Sequence, residues 1–274
     1  MTRMNSTHSS RWAILAVVAL LAVAAVGTAT AVSVTDEDVP EEKRVGEQYT
    51  ATITLGELYK NPSYTNWTLR GETELQDVTW TITTEDTDTG KQIDQSSFDG
   101  QTFNYSKIDA EKTDTNQVTV KVTGTVPEVA NYTYSDKETF VVASLTQVRE
   151  GGATNAIGTK TAHHFTSESK SAREALDSAK SDIESAKSSG ASVSTAQQSF
   201  ESAVSAYENG NFENAETLAN RASDEAGSAA SAKQSAESRN QLIMYGAAGL
   251  AVVLVLGGGI YWYRQQQDDY SRLG

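Results

Sequence analysis

Residues 242–263 read LIMYGAAGLAVVLVLGGGIYWY, a run of 22 residues without a charged side chain. As a helix with a rise of about 1.5 Å per residue, the run would be roughly 33 Å long, enough to cross the hydrocarbon core of a bilayer. The aromatic residues at its distal edge, Tyr261, Trp262 and Tyr263, are typical of the headgroup region. A buried helix of a soluble core is the alternative, but such helices usually keep a polar face. The run therefore predicts one transmembrane helix with membrane lipid as its partner.

Residues 1–31 have the three parts of a secretory signal peptide: basic residues at the start, the apolar segment 12–26 and an Ala-x-Ala cleavage motif at 29–31. Cleavage after this motif is one interpretation, and an uncleaved N-terminal anchor is the other. Export combined with a C-terminal span predicts a single-pass type I protein of the cell membrane. Residues 32–239 would then be extracellular and residues 264–274 would form a cytoplasmic tail.

The predicted extracellular part is strongly acidic. The chain has 36 acidic and 22 basic residues, of which 34 and 18 lie in residues 32–239. Such a surface excludes nucleic acid as a partner unless a cation bridges them, and concentrated salt would screen its self-repulsion. Because the chain has no Cys, its fold must be held by its own core rather than by disulfides. This composition, with abundant Thr and few Lys, resembles that of surface proteins of halophilic archaea; any acidic secreted protein is the alternative.

Residues 32–150 show the alternation of half-buried β-strands. In the segments 49–55, 78–82 and 118–122, apolar residues occupy every second position and polar residues, mostly Thr, lie between them. Turn-forming residues separate these segments. About seven short strands in about 110 residues predict an antiparallel β-sandwich of immunoglobulin-like type, with Trp80 as the candidate core tryptophan.

A resemblance supports this architecture. Residues 118–148, VTVKVTGTVPEVANYTYSDKETFVVASLTQV, resemble the closing strands of S-layer-type immunoglobulin-like domains of archaea, with a VxVxVxGxVP strand end and a final FVVASL strand. The resemblance implies an architecture for this part of the chain and carries no active-site residues with it.

Two features invite a metal-binding interpretation. The acidic turn 86–94 has Asp-x-Asp-x-Gly spacing but lacks the later acid and the flanking helices of an EF-hand. His163 and His164 are adjacent, and no Cys or further His lies in residues 32–239 to complete a zinc site. We therefore predict a solvated acidic turn, a linker over residues 151–166 that contains both histidines, and no metal or cofactor.

Three N-glycosylation motifs begin at Asn66, Asn104 and Asn131. In an exported chain each is an acceptor site. Motifs at this density also arise by chance, and an aromatic residue follows each Asn, as it would at an ordinary strand position. Glycosylation and a plain strand position are therefore alternatives.

From residue 167 to residue 241 the apolar period becomes three and four, with Ala at most apolar positions. Gly190 and the Asn209-Gly210-Asn211 turn divide the segment into three helices. Short loops make neighbouring helices antiparallel, so the segment predicts a three-helix bundle or stalk. The third helix has no Pro before the apolar run and is expected to continue into 242–263.

The second turn carries a more specific pattern. Tyr207-x-x-Gly210-x-Phe212-x-x-Ala215 resembles the turn within a tetratricopeptide repeat. The resemblance implies a peptide-binding groove with Tyr207, Gly210 and Phe212 on its interaction surface. Only one such unit is present, whereas stable arrays need about three, so a generic antiparallel hairpin is the alternative.

Together these features predict a non-enzymatic, membrane-anchored cell-surface protein with a structural or protein-interaction role in an archaeal envelope. Its partner would be an envelope or membrane protein. The alternative is an accessory subunit of a membrane enzyme, transporter or secretion complex, docked through the small residues Ala247 and Ala251 of the span. The chain has no Cys nucleophile and no G-x-S-x-G or H-E-x-x-H motif, so no catalytic residues are predicted.

Overall fold

The computed structural model of the chain describes residues 32–60 and 65–268, with side chains described up to residue 240. The predicted signal peptide and residues 269–274 lie outside this part. The described chain forms two compact units. The β unit comprises the chain up to Val129 together with Glu138–Phe165. The helical unit comprises Ala130–Lys137 and the chain from Thr166 onward.

The β unit contains ten described strands in two five-stranded sheets. The first sheet has the order β1-β3-β8-β5-β6 and the second has the order β2-β10-β9-β4-β7. All pairings are antiparallel except that of β2 with β10. The strand bounds are β1 Ser33–Asp38, β2 Glu42–Arg44, β3 Gln48–Gly56, β4 Asn66–Glu72, β5 Gln76–Asp86, β6 Lys91–Asp99, β7 Thr102–Asp109, β8 Gln117–Thr125, β9 Thr139–Val148 and β10 Thr154–Phe165.

One apolar core lies between the two sheets, which confirms the predicted two-sheet, largely antiparallel sandwich. The apolar residues at alternate positions of β3, β5 and β8 are buried. Rings from opposite sheets meet there: Tyr49 contacts Phe140 edge-on with centroids 5.5 Å apart, and Trp80 lies 4.8 Å from Phe103. Trp80 is fully buried, and its indole N–H donates to the carbonyl of Gly100 at 2.9 Å. It is the core tryptophan that the sequence predicts.

The last strand corrects one prediction. Residues 151–166 are not a linker, because Thr154–Phe165 forms β10, which pairs with β9 over nearly its whole length and with β2 at its end. Its sequence, TNAIGTKTAHHF, lacks an apolar stripe, and among its apolar residues only Ala162 is buried. The strand is held mainly by backbone pairing on both sides, which leaves little trace in the pattern of side chains.

Two buried tyrosines make the β unit sensitive to alkaline pH. Burial raises the pKa of both Tyr49 and Tyr105 to about 12 from the ordinary 10.0. Below pH 10 both are neutral in the folded and unfolded states, so their contribution to stability is complete. Between pH 10 and 12 the unfolded chain ionises first, and the free energy of unfolding should fall by on the order of 2 kcal/mol for each tyrosine. Urea unfolding across this range checks the fall. Tyr49→Phe should reduce the slope, and an unchanged slope would contradict this account.

The helical unit contains α1, Ser167–Ser188, α2, Ser194–Glu208, and α3, Phe212–Asp268. These bounds confirm the three predicted helices. Thr166 and Ser169 cap α1 reciprocally, each hydroxyl accepting the other residue's backbone N–H. Gly190 and Gly210 end α1 and α2 with φ of 79° and 73°, a left-handed conformation that favours glycine.

Helix α3 is a single helix of 57 residues, about 85 Å long, and it includes the backbone of residues 242–263. No helix is long and apolar enough to cross a membrane among the residues whose side chains are described. The side chains of the predicted span lie outside that part of the chain.

Candidate functional site

An eight-residue segment from the connection between β8 and β9, Ala130–Lys137, belongs to the helical unit. We call it the inserted segment. Its two tyrosines pack among the aromatic side chains of the helices. The Tyr132 ring meets Phe212 and Tyr207 edge-on, at centroid distances of 4.7 and 5.9 Å, and the Tyr134 ring meets Phe200 at 5.7 Å. The segment therefore contributes to the core of the helical unit.

Arg173 of α1 binds the backbone of the inserted segment. Its guanidinium donates to three carbonyl oxygens: Nη1 to Tyr134 at 3.2 Å, and Nη2 to Asp136 at 3.0 Å and to Thr133. Its Nε donates to the Tyr207 hydroxyl at 3.2 Å. Because the planar guanidinium has five N–H donors in a fixed fork, one side chain can hold three carbonyls and a hydroxyl at once.

Arg173 is also held between two rings. The centre of its guanidinium lies 5.1 Å from the centroid of the Tyr207 ring and 5.6 Å from that of Tyr134. A cation over an aromatic face is stabilised by the ring quadrupole, more strongly when water is partly excluded. The charge of Arg173 is thus used to join the inserted segment to α2.

Two carboxylates complete the site. Asp177, one turn beyond Arg173 on α1, accepts the Tyr134 hydroxyl at 2.8 Å, and Glu208 at the end of α2 accepts the Tyr134 backbone N–H at 3.5 Å. Burial, and then the hydrogen bond to Asp177, raise the pKa of Tyr134. The hydroxyl is therefore neutral and a donor at ordinary pH. One backbone N–H, three carbonyls and one side-chain hydroxyl of the segment thus have partners on the helices.

The composition of the helices explains why they need this segment. The buried positions that face the bundle interior are largely alanines, which permit close approach but bury little apolar area per residue. The aromatic side chains lie against one another and the inserted segment, and four of them are only half-buried: Phe200, Phe212, Tyr132 and Tyr134. The aromatic cluster supplies the area that the alanine seam lacks.

This arrangement changes the interpretation of the predicted interaction surface. Tyr207 is 1% exposed, and Phe212 is half-buried against Tyr132. Gly210 lies in the turn with open space beside its Cα. Tyr207 and Phe212 therefore contact the chain's own inserted segment instead of forming an open surface. Arg173 and the segment were not identified from the sequence, because an arginine on a helix and a polar loop are each common.

The two histidines of β10 bind backbone carbonyls near the two ends of the β8–β9 connection, within the β unit. His163 Nδ1 lies 2.7 Å from the carbonyl oxygen of Glu138, and His164 Nδ1 lies 3.0 Å from that of Pro127. Each Nδ1 must carry the proton, since a carbonyl oxygen only accepts. The histidines lie in a strand and not in the predicted linker, and His164 is buried with its ring 5.2 Å from Phe140.

In the acidic turn, the carboxylates of Asp86 and Asp94 accept hydrogen bonds from nearby residues. Asp86 accepts the backbone N–H of Asp88 and the hydroxyl of Thr89, and Asp94 accepts from Tyr105 and Lys107. In residues 32–60 and 65–240, no group of three or more His, Asp or Glu side chains is placed to hold a metal ion.

The three glycosylation motifs have exposed asparagines. Asn66 lies on β4, Asn104 on β7 and Asn131 in the inserted segment. On the strands the next residue, Trp67 or Tyr105, is buried, so the pleat turns each Asn outward. Exposure permits modification, and glycosylation stays a prediction. The intact mass of the native protein should exceed the sequence mass by whole glycan units; an unmodified mass would contradict it.

Replacing Arg173 by Ala is expected to lower the free energy of unfolding of the helical unit by about 2 kcal/mol. The change removes charge-assisted hydrogen bonds to three carbonyls, although these half-exposed groups can rebind water. Amide hydrogen exchange in residues 130–137 should accelerate most. Arg221→Ala is the matched control, because Arg221 forms an exposed pair with Glu225 at 2.8 Å, and its loss should cost less than about 0.5 kcal/mol. Equal effects of the two changes would contradict the role of Arg173.

Comparisons with known sequences and structures do not identify a family for this chain. No protein-family model and no curated protein sequence matches the chain. Among solved structures, the chain is similar to BcpA, the major pilin subunit of Bacillus cereus, with 10% identity and a TM-score of 0.31 over 49% of this chain and 40% of that one. It is also similar to Spo0M, the sporulation control protein of Bacillus subtilis, with 11% identity and a TM-score of 0.28 over 54% of this chain and 55% of that one. At these scores the similarities establish neither a shared fold nor a shared function.

Proposed function

We propose that the chain is a membrane-anchored cell-surface protein of a salt-adapted archaeon. It holds an immunoglobulin-like β-sandwich of S-layer type outside the cell and has a structural or protein-interaction role in the envelope. Residues 242–263 are its membrane anchor, residues 1–31 its export signal and residues 264–274 its cytoplasmic tail. The function is non-enzymatic.

One observation carries this proposal: α3 is a single helix from Phe212, within the aromatic cluster, to Asp268. An unbroken helix of this length fixes the distance between its two ends at about 85 Å. The helix that helps to bind the inserted segment is thus the same helix that includes the charge-free run. This continuity supports a stalk that rises from a membrane.

The chemistry of the site supports an interaction role. Arg173 and the surrounding rings bind a stretch of peptide, through its carbonyls and two tyrosines. Nothing in these contacts activates a nucleophile or moves a proton: the carbonyls accept from a guanidinium that keeps its charge at any ordinary pH. The arrangement is one of peptide recognition, and the acidic surface favours function in concentrated salt.

Fractionation of cells that express the full chain tests the proposal. The matched control is a chain that ends after Asn240, which keeps the β unit, α1, α2 and the part of α3 that contacts them and lacks the charge-free run. After an alkaline carbonate wash we expect the full chain in the membrane pellet and the shortened chain in the medium. Protease added to intact cells should digest the acidic β unit. A full chain recovered from the cytosol without detergent, or a β unit protected in intact cells, would contradict the proposal.

The accessory-subunit alternative makes a different prediction for the same membranes. A subunit docked through its span should purify in mild detergent with one integral-membrane protein in a fixed ratio. A surface protein of structural role should purify alone or with copies of itself. Purification of the full chain in mild detergent therefore separates the two.

A further inference from the structure

We propose that Asn209, in the turn between α2 and α3, is a deamidation site that the fold restrains, and that its conversion to aspartate or isoaspartate loosens the end of α2. Asn209 is the only asparagine of the chain that precedes a glycine. An Asn-Gly pair is especially prone to this reaction, because Gly210 has no side chain to hinder the approach of its backbone nitrogen. The inference does not depend on the proposed surface location.

The reaction needs only the chain and water. The backbone nitrogen of Gly210 gives up its proton and attacks the side-chain carbonyl carbon, Cγ, of Asn209. A bond forms between these two atoms, the bond from Cγ to Nδ2 breaks, and Nδ2 leaves with the released proton as ammonia. Water then opens the resulting succinimide ring at one of its two carbonyls, which leaves aspartate or isoaspartate at position 209. Nothing is oxidised or reduced in either step.

Two backbone hydrogen bonds hold the attacking nitrogen away from its target. The Gly210 N–H donates to the Tyr207 carbonyl at 2.9 Å, and the Asn211 N–H donates to that of Ala206 at 2.9 Å. This is the pairing of a helix that ends in a left-handed glycine. Asn209 has φ of −89° and ψ of 7°, so the Gly210 nitrogen is nearly eclipsed with the backbone nitrogen of Asn209 and lies away from its side chain.

The side chain of Asn209 is held as well. Its Nδ2 donates to the carbonyl of Ser205, one turn earlier, at 2.7 Å. Ring closure must break this bond, break the bond from Gly210 to Tyr207 and rotate the backbone of Asn209. The reaction therefore proceeds only in the fraction of molecules whose turn is open, and the free energy of this local opening sets its rate.

Solvent reaches the turn from outside. Asn209 and Gly210 are exposed, and apart from the chain neighbours no heavy atom lies within 4 Å of the place that a Cβ on Gly210 would take. Asn209 also lines an open groove of about 650 Å³ together with Ser205 and Asn214. Access of water is thus not what limits the reaction, and the hydrogen bonds of the turn are.

The product does not fit the end of α2. A carboxylate at position 209 has no N–H to donate to the Ser205 carbonyl, so two acceptors face each other. It also places a negative charge at the C-terminal end of the helix, next to Glu208, where the helix dipole disfavours it. Isoaspartate in addition lengthens the backbone by one methylene, which displaces Gly210 from its bond to Tyr207.

The end of α2 also binds the inserted segment. Glu208 accepts the backbone N–H of Tyr134, and the Tyr207 ring contacts Tyr132. Deamidation weakens the helix end that supplies these contacts, so the inserted segment loses protection with it. Conversely, Arg173 donates to the Tyr207 hydroxyl. Its loss destabilises the end of α2, opens the turn more often and accelerates deamidation.

Reaction rates test the restraint. The full chain in detergent and a synthetic peptide of residues 203–216, which lacks the partners of the helices, are incubated at the same mildly alkaline pH. Peptide mapping by mass spectrometry follows deamidation at Asn209. We expect the folded chain to react about tenfold more slowly than the peptide, or slower still, because its reaction waits for local opening. An equal rate would overturn the restraint, and a peptide that does not deamidate would overturn the site.

Two arginine variants test whether the turn is coupled to the aromatic cluster. Arg173→Ala should deamidate at Asn209 about threefold faster than the unaltered chain, or faster, with helix content retained in circular dichroism. Arg221→Ala is the matched control, since Arg221 forms an exposed pair with Glu225 on α3, and its rate should not change. If Arg173→Ala loses helix content, Tyr207→Phe takes its place and should accelerate the reaction less. Equal rates in the arginine or phenylalanine variant and in the control would overturn the coupling.

The consequence is tested with the product already in place. Asn209→Asp introduces the carboxylate directly, and amide hydrogen exchange in residues 130–137 and in the last turn of α2 should become about threefold faster or more. Asn220→Asp is the matched control, because it adds the same charge at an exposed position within α3. Equal exchange in the two variants would overturn the loosening of α2 by deamidation.

Discussion

Replacing Tyr207 by Ala is expected to lower the free energy of unfolding of the helical unit by about 3–5 kcal/mol. Tyr207 is 1% exposed, and its ring meets Tyr132 and Phe212 at centroid distances of 5.9 and 5.5 Å. Ala leaves a cavity among groups that cannot all collapse into it. The change also removes the hydroxyl and the ring that hold Arg173. Urea unfolding followed by helical circular dichroism measures the loss.

Tyr207→Phe separates the two contributions. It keeps the ring contacts and removes the hydroxyl that accepts from Arg173 Nε, so it should cost about 1 kcal/mol. Hydrogen exchange should locate the effect. In Tyr207→Ala, residues 130–137 should lose protection together with α2, whereas in Tyr207→Phe they should keep most of it. Protection of the inserted segment in Tyr207→Ala equal to that in the unaltered chain would show that Tyr207 does not help to bind it.

Trp80→Ala should cost the β unit about 3–5 kcal/mol. The indole is fully buried, lies 4.8 Å from the Phe103 ring of the opposite sheet and donates to the Gly100 carbonyl. Phe103 in turn covers the backbone of Gly71, where a Cβ would lie 2.1 Å from the ring. Because Gly71 has no side chain, a shift of Phe103 into the cavity that Trp80 leaves would open a new void over Gly71, so the cavity is not filled without cost.

The matched control for Trp80→Ala is Phe98→Ala. Phe98 is half-buried at the edge of the same group of rings, 5.7 Å from Phe103, so its loss removes contacts without a closed cavity. We expect less than half of the effect of Trp80→Ala. Hydrogen exchange in β5 and β8 should become much faster in Trp80→Ala and change little in Phe98→Ala. Similar losses for the two would indicate that Trp80 is not central to the core.

The buried faces of the regular elements are predicted well from the sequence, because the spacing of apolar residues records which side of a strand or helix is buried. The alternation in residues 49–55, 78–82 and 118–122 places its apolar residues in the sandwich core, as observed. The spacing of Ala172, Leu176 and Ala179 likewise places them inside the bundle. The turn glycines follow from backbone geometry, since Gly190 and Gly210 adopt positive φ at helix ends.

The sequence analysis assigned β10 to a linker and missed the role of the inserted segment, and both errors have the same cause. Strand β10 is stabilised by hydrogen bonds to β9 and β2, and it buries few apolar side chains, so its pattern resembles that of a linker. The inserted segment has two tyrosines in a polar stretch, which is also a common pattern within strands. In both cases the stabilising partner lies on another element, and a local window of sequence does not include it.

The sequence by itself determined the order and type of most elements, the acidic surface and the charge-free run at 242–263, because these follow from composition and from the period of apolar residues. Only the tertiary structure decided where residues 130–137 belong. Arg173 lies about 40 positions from the carbonyls of Thr133, Tyr134 and Asp136, and a backbone carbonyl has no signature in the sequence. Such a contact exists only once the chain has folded, because folding brings distant groups within hydrogen-bonding distance.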